Sequence, residues 1–425
     1  MNDHIWHPYT RRSAERDGFP IITRGEGIYL FGEDGTRYVD ATSSWWACAL
    51  GHGHPRIVEA IQTQAAQLQH SILGNLSHPG ALELARRLSE LTGGNRRVHF
   101  GSDGASAVEA ALKISVQYWD NLGVPGRHGF LSFTDPYHGD TLGAVSVGYM
   151  ESFHRPFQPL LFPVHRVPAP DCSACDRGRR PGACDGSCFD AMRQAIESHA
   201  KGLAAVVVEP LCQGAAGMRM YAPSYLERLA ACCGEHDVLL IVDEIAMGFC
   251  KTGRMFAYDH AGIRPDIVCV GKAVTAGALP LSAAIVDDRI HRTFDDAGRD
   301  GTFYHGHTFA GNPIAAAAAL EALTIYEEED LAGRAVQLGT LVASQFAPLA
   351  ALPRVRDVRC LGMIGAVEFD SADRARRLAL ALRADGILVR PLGPVLYLIL
   401  PLTVTETQLL DVCRAFVSRV KQARP

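Results

Sequence analysis

The sequence predicts an α/β protein, with one large domain built on a mostly parallel central sheet flanked by helices and a smaller α+β part. Two observations lead there. Unbroken apolar runs, Val238-Leu239-Leu240-Ile241-Val242 and Ile267-Val268-Cys269-Val270, have the composition of strands buried on both faces. Segments with apolar residues at helical spacing, such as Pro79 to Thr92 and Ala107 to Tyr118, alternate with such runs. That alternation is what helices crossing over a parallel sheet produce.

In chain order, Gly25 to Cys48 reads as a small meander of short strands with Gly-Asp turns, as in Ile28-Tyr29-Leu30-Phe31 followed by Gly32-Glu33-Asp34-Gly35. It belongs to an N-terminal lobe, residues 1–54. The α/β alternation fills 55–313, with further strands expected over Phe130 to Thr134 and Ala204 to Val208. A helix is expected over Ile314 to Glu329. After it, Met363 to Phe369 and Ile387 to Arg390 read as two strands around a helix over Arg374 to Arg383. A final helix over Glu406 to Gln422 closes a compact α+β lobe, residues 314–425.

Composition narrows the function. With 425 residues, 48% of them hydrophobic, the chain can bury a large core. A formal net charge of −5 offers no basic field for nucleic acid or an anionic membrane, so small-molecule chemistry is favoured. Met1 to Arg12 lacks the apolar centre of a signal peptide, and no apolar stretch approaches the roughly 20 residues of a membrane span. A cytoplasmic protein is expected, whose twelve cysteines serve as free thiols, small hydrophobes or metal ligands rather than a disulfide framework.

The chemistry sits at the ends of the apolar runs. Asp243 closes the first, and Lys272 follows the second. Ligands of α/β sheets bind outside the carboxyl ends of the strands. A carboxylate and an amine at two neighbouring strand ends are what pyridoxal 5′-phosphate needs, because the amine can form a Schiff base while the carboxylate keeps the pyridine nitrogen protonated. Gly101-Ser102-Asp103-Gly104-Ala105-Ser106 precedes a helical pattern, and free N–H groups at that helix start would cradle a phosphate. Alone, such a turn serves equally as a helix cap. Tyr137 follows a strand and could stack on a pyridine ring, or simply plug the core. Glu209, at the end of another apolar run, could position substrate or join a structural ion pair.

Competing chemistries find no foothold. Residues 266–273 lack the first glycine and the Ser/Thr of a phosphate-binding loop, and neither H-E-x-x-H nor G-x-S-x-G occurs. Cys172, Cys175, Cys184 and Cys188 have the number of ligands for tetrahedral zinc. Their spacing is shorter than in common zinc modules and pyridoxal chemistry asks for no metal, so a surface insertion with reduced thiols is expected instead.

Further motifs carry a resemblance. Asp243-Glu244-Ile245, Gly271-Lys272-Ala273 and Tyr304-His305-Gly306-His307-Thr308-Phe309 resemble the class III aminotransferases of pyridoxal-phosphate fold type I over nearly the whole chain. That fold has a large domain and a small domain contributed by both termini. Ile5-Trp6-His7-Pro8-Tyr9-Thr10, Ser43-Ser44-Trp45-Trp46, Tyr137-His138-Gly139-Asp140-Thr141, Gly217-Met218-Arg219-Met220-Tyr221 and Val389-Arg390-Pro391 are similar to the branch that converts 8-amino-7-oxononanoate to 7,8-diaminononanoate in biotin synthesis. The resemblance implies that Lys272 holds the cofactor and moves the proton, Asp243 pairs with the ring nitrogen, Tyr137 stacks, and Gly104 and Ala105 bind phosphate, with His138 and Ile245 beside the cofactor. It implies a homodimer with shared active sites, in which Thr308 reaches the phosphate bound by the other copy. Tyr9, Trp45, Trp46, Gly306 and Tyr397 would line the substrate pocket, and Arg390 would clamp a carboxylate.

Three positions depart from the pattern. Asp103-Gly104-Ala105 replaces a hydroxyl-bearing phosphate turn, Lys251 stands where relatives often carry arginine, and His307 where they often carry proline. The amino donor therefore stays open between S-adenosylmethionine and lysine. Alternatives are an ω-amino acid or diamine transaminase with another acceptor, and a scaffold that binds pyridoxal phosphate or zinc without catalysis.

Overall fold

The computed structural model describes residues 4–12, 18–175, 184–295 and 300–422. At its centre is a seven-stranded sheet. Its strands are β1 (Arg96–Gly101), β2 (Gly129–Phe133), β3 (His165–Val167), β4 (Leu203–Val208), β5 (Leu239–Asp243), β6 (Ile267–Val270) and β7 (Ser282–Asp287), in spatial order β1-β7-β6-β5-β4-β2-β3. β7 is antiparallel to both of its neighbours, and every other pairing is parallel. The mostly parallel sheet expected from the apolar runs is thus present.

Those runs are apolar throughout because both faces are covered. Side chains alternate across a strand, and Leu239 and Ile241 of β5 face one apolar cluster while Leu240 and Val242 face another. β6 divides the same way, with Ile267 and Cys269 to one side and Val268 and Val270 to the other. The helix Gly104–Asn121 covers the first face with Val108, Ala111 and Leu112. Helices Pro223–Glu235 and Pro313–Glu328 belong to the second, larger core.

Besides a two-stranded pairing of Cys212–Gln213 with Arg219–Met220, two smaller sheets lie outside the central one. Ile22–Glu26, Tyr29–Gly32 and Arg37–Asp40 form the expected N-terminal meander. A second sheet is antiparallel, with Ile364–Phe369 between Val355–Leu361 and Val395–Ile399.

The C-terminal region differs from the expectation in two ways. Ile387–Leu388 does not join Ile364–Phe369 but adds a parallel strand to the N-terminal meander, where Val39 and Ala41 donate to the carbonyls of Gly386 and Leu388. The wholly buried run Val395–Ile399 takes the place beside Ile364–Phe369 instead. Also, the helix Pro313–Glu328 is followed at once by another, Leu331–Phe346, whose start is capped by the Asp330 carboxylate accepting from Gly333 N. The final helix spans Glu406–Gln422 as expected. Among the described residues, no helix is long and apolar enough to cross a membrane.

Candidate active site

β5 and β6 are paired so that Asp243 lies opposite Cys269, three residues before Lys272. Both functional side chains therefore emerge at the same edge of the sheet, into a cavity of about 480 Å³ whose walls include Trp46, Gly104, Tyr137, Asp140, Asp243 and Lys272. A larger cleft of about 760 Å³, bordered by Arg97, His99 and Phe303, contains neither strand end and none of the expected catalytic groups.

Each polar group in the cavity is held by its own element. Asp243 is buried, with Oδ1 accepting from Ile245 N at 3.0 Å and Oδ2 lying 2.7 Å from Nδ1 of His138. The other ring nitrogen of His138 is buried without a partner. Lys272 follows β6 with φ of 46°, in the left-handed region, and its Nζ lies 5.2 Å from the Trp46 ring. Burial lowers its amine from the ordinary lysine value, although Asp243, Glu209 and Asp140 pull in the opposite direction. An amine so destabilised as a cation is suited to covalent and proton-transfer work.

Glu209 is buried and anchored by two backbone donors, Tyr137 N at 3.0 Å and Gly214 N at 2.9 Å. Burial pushes its carboxyl up to about 7. Glu209 thus fixes the backbone of Tyr137, and the structure gives it no ion-pair partner among the described residues. Lys251 is turned into the protein, donating to Gly248 O at 2.7 Å, and burial followed by repulsion from Lys272 lowers it to about 7.

The helix start at Gly104 is shaped for an anion. Asp103 caps it by accepting from Ser106 N at 3.0 Å, which leaves the first N–H groups free of side-chain partners. A Cβ on Gly104 would lie 2.8 Å from Ile245, and one on Gly139, whose φ is +120°, would collide with Ala105. The backbone here is bare because nothing larger fits. A carboxylate, an amine and a glycine-lined helix terminus around one cavity match the three ends of pyridoxal phosphate.

The wall opposite comes from an unusual turn. Ser43, Ser44, Trp45 and Trp46 all have φ between 46° and 70°, a left-handed turn without glycine. Such backbone is costly and persists only where surroundings over-determine it. Here Ser43 Oγ donates to Ile399 O at 2.7 Å, Ser44 Oγ donates to Asp40 Oδ2 at 2.7 Å, and Asp40 is paired with His52 at 3.0 Å. The turn presents Trp46 inward against Tyr397, ring centroids 6.1 Å apart, and Trp45 outward. Arg390 lies 4.4 Å over Trp45 and 5.5 Å over Tyr9.

Sequence reasoning placed Lys272, Asp243, Tyr137, His138, Ile245, Gly104 and Ala105 together, and the structure brings all of them to one cavity. Tyr9, Trp45 and Arg390 cluster beside it. Gly306 and Thr308 do not reach it, since both lie exposed on the loop after Phe303. The cysteines Cys172, Cys175, Cys184 and Cys188 are free thiols, and among the described residues no group of His, Cys, Asp or Glu is arranged to hold a metal. Residues 176–183 of that loop lie outside the described residues. Asp140 and His154 were given no role from the sequence. Asp140 accepts from the hydroxyls of Tyr9 and Tyr137, the latter at 2.9 Å, and His154 stands behind it. Only the position of Asp140 three residues after Tyr137 could have signalled this.

The family model for class III aminotransferases matches residues 12–420. The chain is a class III aminotransferase. It is 40% identical over 421 residues to the adenosylmethionine-8-amino-7-oxononanoate aminotransferase of Geobacter sulfurreducens, covering 96% of this chain and 93% of that one. The solved structure of the enzyme of that name from Methanocaldococcus jannaschii superposes with a TM-score of 0.92 at 36% identity, covering 99% of this chain and 98% of that one. An amine transaminase from an uncultivated Pseudomonas species, solved with pyridoxal phosphate bound, superposes with a TM-score of 0.93 at 34% identity, covering 99% and 98%. The cofactor of this class III aminotransferase is pyridoxal 5′-phosphate.

Proposed function

We propose that this aminotransferase makes 7,8-diaminononanoate from 8-amino-7-oxononanoate, taking the amino group from S-adenosylmethionine or lysine. The observation that carries this reading is the guanidinium of Arg390 held over Tyr9 and Trp45, beside the cavity of Lys272 and Asp243. A planar cation beside the cavity, outside the walls that hold the reacting amine, suits an acid whose carboxylate is remote from its ketone. The names of its relatives support the same substrate.

Pyridoxal phosphate supplies the electron sink that makes the substrate carbon acidic. The rest falls to the chain. Lys272 Nζ would hold the cofactor through its amine and would accept and return the proton of the substrate carbon. Asp243, with His138 behind it, keeps the ring nitrogen protonated. Gly104 and Ala105 would hold the phosphate, Ile245 and Tyr137 would enclose the ring, and Trp46 and Tyr397 would exclude water from the wall.

The assembly is a homodimer. Ile72 and Leu76 are 45% and 60% exposed, and Tyr304 and Phe309 are 80% and 62% exposed on the loop that holds Gly306 and Thr308. His70 and Phe309 join the two segments, ring centroids 4.9 Å apart. A second copy would cover this surface and bring Thr308 to the neighbouring phosphate site. The twelve free thiols fit a cytoplasmic location, and the boundaries near residues 54 and 313 divide the small from the large domain.

A second reading, an amine transaminase with a different acceptor, is favoured by the inward-turned Lys251. The deciding experiment loads the enzyme with pyridoxamine phosphate and offers 8-amino-7-oxononanoate or pyruvate. Faster turnover with pyruvate would overturn the first reading. A parallel panel of S-adenosylmethionine and lysine, followed by absorbance as bound aldehyde becomes amine, names the donor.

A further inference from the structure

His154 ends the one-turn helix Glu151–His154 and is 2% exposed. Its Nδ1 accepts from Met150 N at 3.1 Å, which leaves the ring proton on Nε2. Nε2 is buried, has no hydrogen-bond partner, and lies 3.6 Å from Asp140 Oδ1. Aromatic rings pack against it: Phe153 and Tyr149, and Tyr137, which lies nearly parallel to it, 6.3 Å away at 19°. Among the described residues, the ion-paired group nearest that proton is the Asp140 carboxylate.

Asp140 gathers three donors. Oδ2 accepts from Tyr137 at 2.9 Å, and Oδ1 accepts from Tyr9 and faces His154. Burial pushes its carboxyl upward, but the nearby His154 ring N–H and the hydrogen bonds from Tyr9 and Tyr137 outweigh this and hold it below the usual range. Tyr9 otherwise belongs to an exposed N-terminal segment and is itself 44% exposed. Its hydroxyl contact with Asp140 joins ring contacts with Trp45 and Phe153 in holding that segment beside the cavity. Gaps of this size in unliganded sites tighten when ligands bind.

We propose that His154 is a positioning residue that acts through Asp140, using its Nε2–H to fix the carboxylate and thereby the Tyr137 ring over the cofactor and Tyr9 over the entrance. The inference deepens the proposed reading of this site and rests on Tyr137 facing the cofactor. It does not depend on which acceptor is used.

The test compares holoenzymes of His154→Phe, His154→Gln, Asp140→Asn and the His154→Phe/Asp140→Asn double variant. Gln keeps a donor near the Nε2 position, while Phe keeps the ring and loses the donor. Removing the donor that the proposal aims at the charged Asp140 predicts for His154→Phe about a tenfold slower amino-donor half-reaction and several-fold weaker pyridoxal phosphate binding to the apoprotein, measured by fluorescence titration. His154→Gln should recover both to within about threefold, and the double variant should be no worse than Asp140→Asn, because coupled residues fail to add. His154→Leu runs in parallel, in case the Phe variant does not fold. Wild-type behaviour of the donor-less variants, no recovery with Gln, or losses that add in the double variant would each overturn the proposal. The half-reaction uses whichever amine turns over the wild type, so failure with 8-amino-7-oxononanoate would sink the substrate assignment alone.

Discussion

His138 and Asp243 form a closed pair. Nδ1 of the histidine is 2.7 Å from Oδ2 of the carboxylate, both side chains are nearly inaccessible, and the other carboxylate oxygen is occupied by Ile245 N at 3.0 Å. Asp243 cannot rotate away without leaving a buried donor unpaired. Asp243→Asn should fold normally and bind cofactor, yet turn over at least about 10²-fold more slowly, the lower end of what a positioned proton donor or acceptor contributes. Steady-state rates beside circular dichroism check this, and turnover within threefold of wild type would remove Asp243 from the chemistry.

Lys272→Ala removes both the covalent attachment and the proton carrier. Turnover should fall by more than the roughly 10⁴-fold upper range for proton transfer alone. Borohydride treatment followed by mass spectrometry should find the cofactor's mass fixed to wild-type protein and absent from the variant. A fixed mass on Lys251 instead would move the assignment.

Gly104 and Gly139 are tested through cofactor affinity. Ala at 104 must displace Ile245, and Ala at 139 must both displace Ala105 and accept a φ of +120°. We expect at least about tenfold weaker binding of pyridoxal phosphate in each, and Gly139→Ala should lose about 1–3 kcal/mol of stability from backbone strain. Unchanged affinity in both would mean that the phosphate sits elsewhere.

Stability at alkaline pH should depend on His52. Its hydrogen bond to Asp40 comes first among the causes that push it up to about 9 from the ordinary 6.5. A raised folded-state value stabilises fully below about pH 6.5 and is lost as pH rises through about 9, a change of no more than about 3 kcal/mol. Melting temperature should fall between pH 7 and 9.5 in the wild type and much less in His52→Gln. Parallel curves would show the pair to be inert.

Arg390→Ala should raise the KM for the oxo-acid about 10- to 100-fold, as expected for losing a charge-assisted pair. The donor half-reaction should change less if the donor's carboxylate is bound elsewhere. Equal loss in both half-reactions would make Arg390 a shared anchor.

How much of this was legible in the sequence follows from where each residue sits. Asp243 and Lys272 terminate strands buried on both faces, and such strands announce themselves as unbroken apolar runs with a polar residue at the end. The phosphate turn was readable because it precedes a long amphipathic helix. Tyr9, Trp45, Trp46 and Arg390 have no periodicity to betray them. They lie on irregular backbone, some of it left-handed without the glycine that would flag it, and only family resemblance pointed to them. The C-terminal sheet was misjudged because Ile387–Leu388 is two residues long and its partner is near the other end of the chain. His154 gave no signal, since its meaning depends on Asp140 fourteen positions earlier across a bend.

The seryl contact from position 43 to the carbonyl of Ile399 joins residues 356 apart. During synthesis, the cofactor half of the pocket is complete once β7 has emerged, whereas the tryptophan wall lacks its Ile399 and Tyr397 supports until almost the last ribosomal steps. Recognition of the acid would thus be the final property the nascent enzyme acquires. Chains stalled before Val395 should capture vitamin B6 yet discriminate poorly among amines, and a stalled chain with full selectivity would contradict this order of assembly.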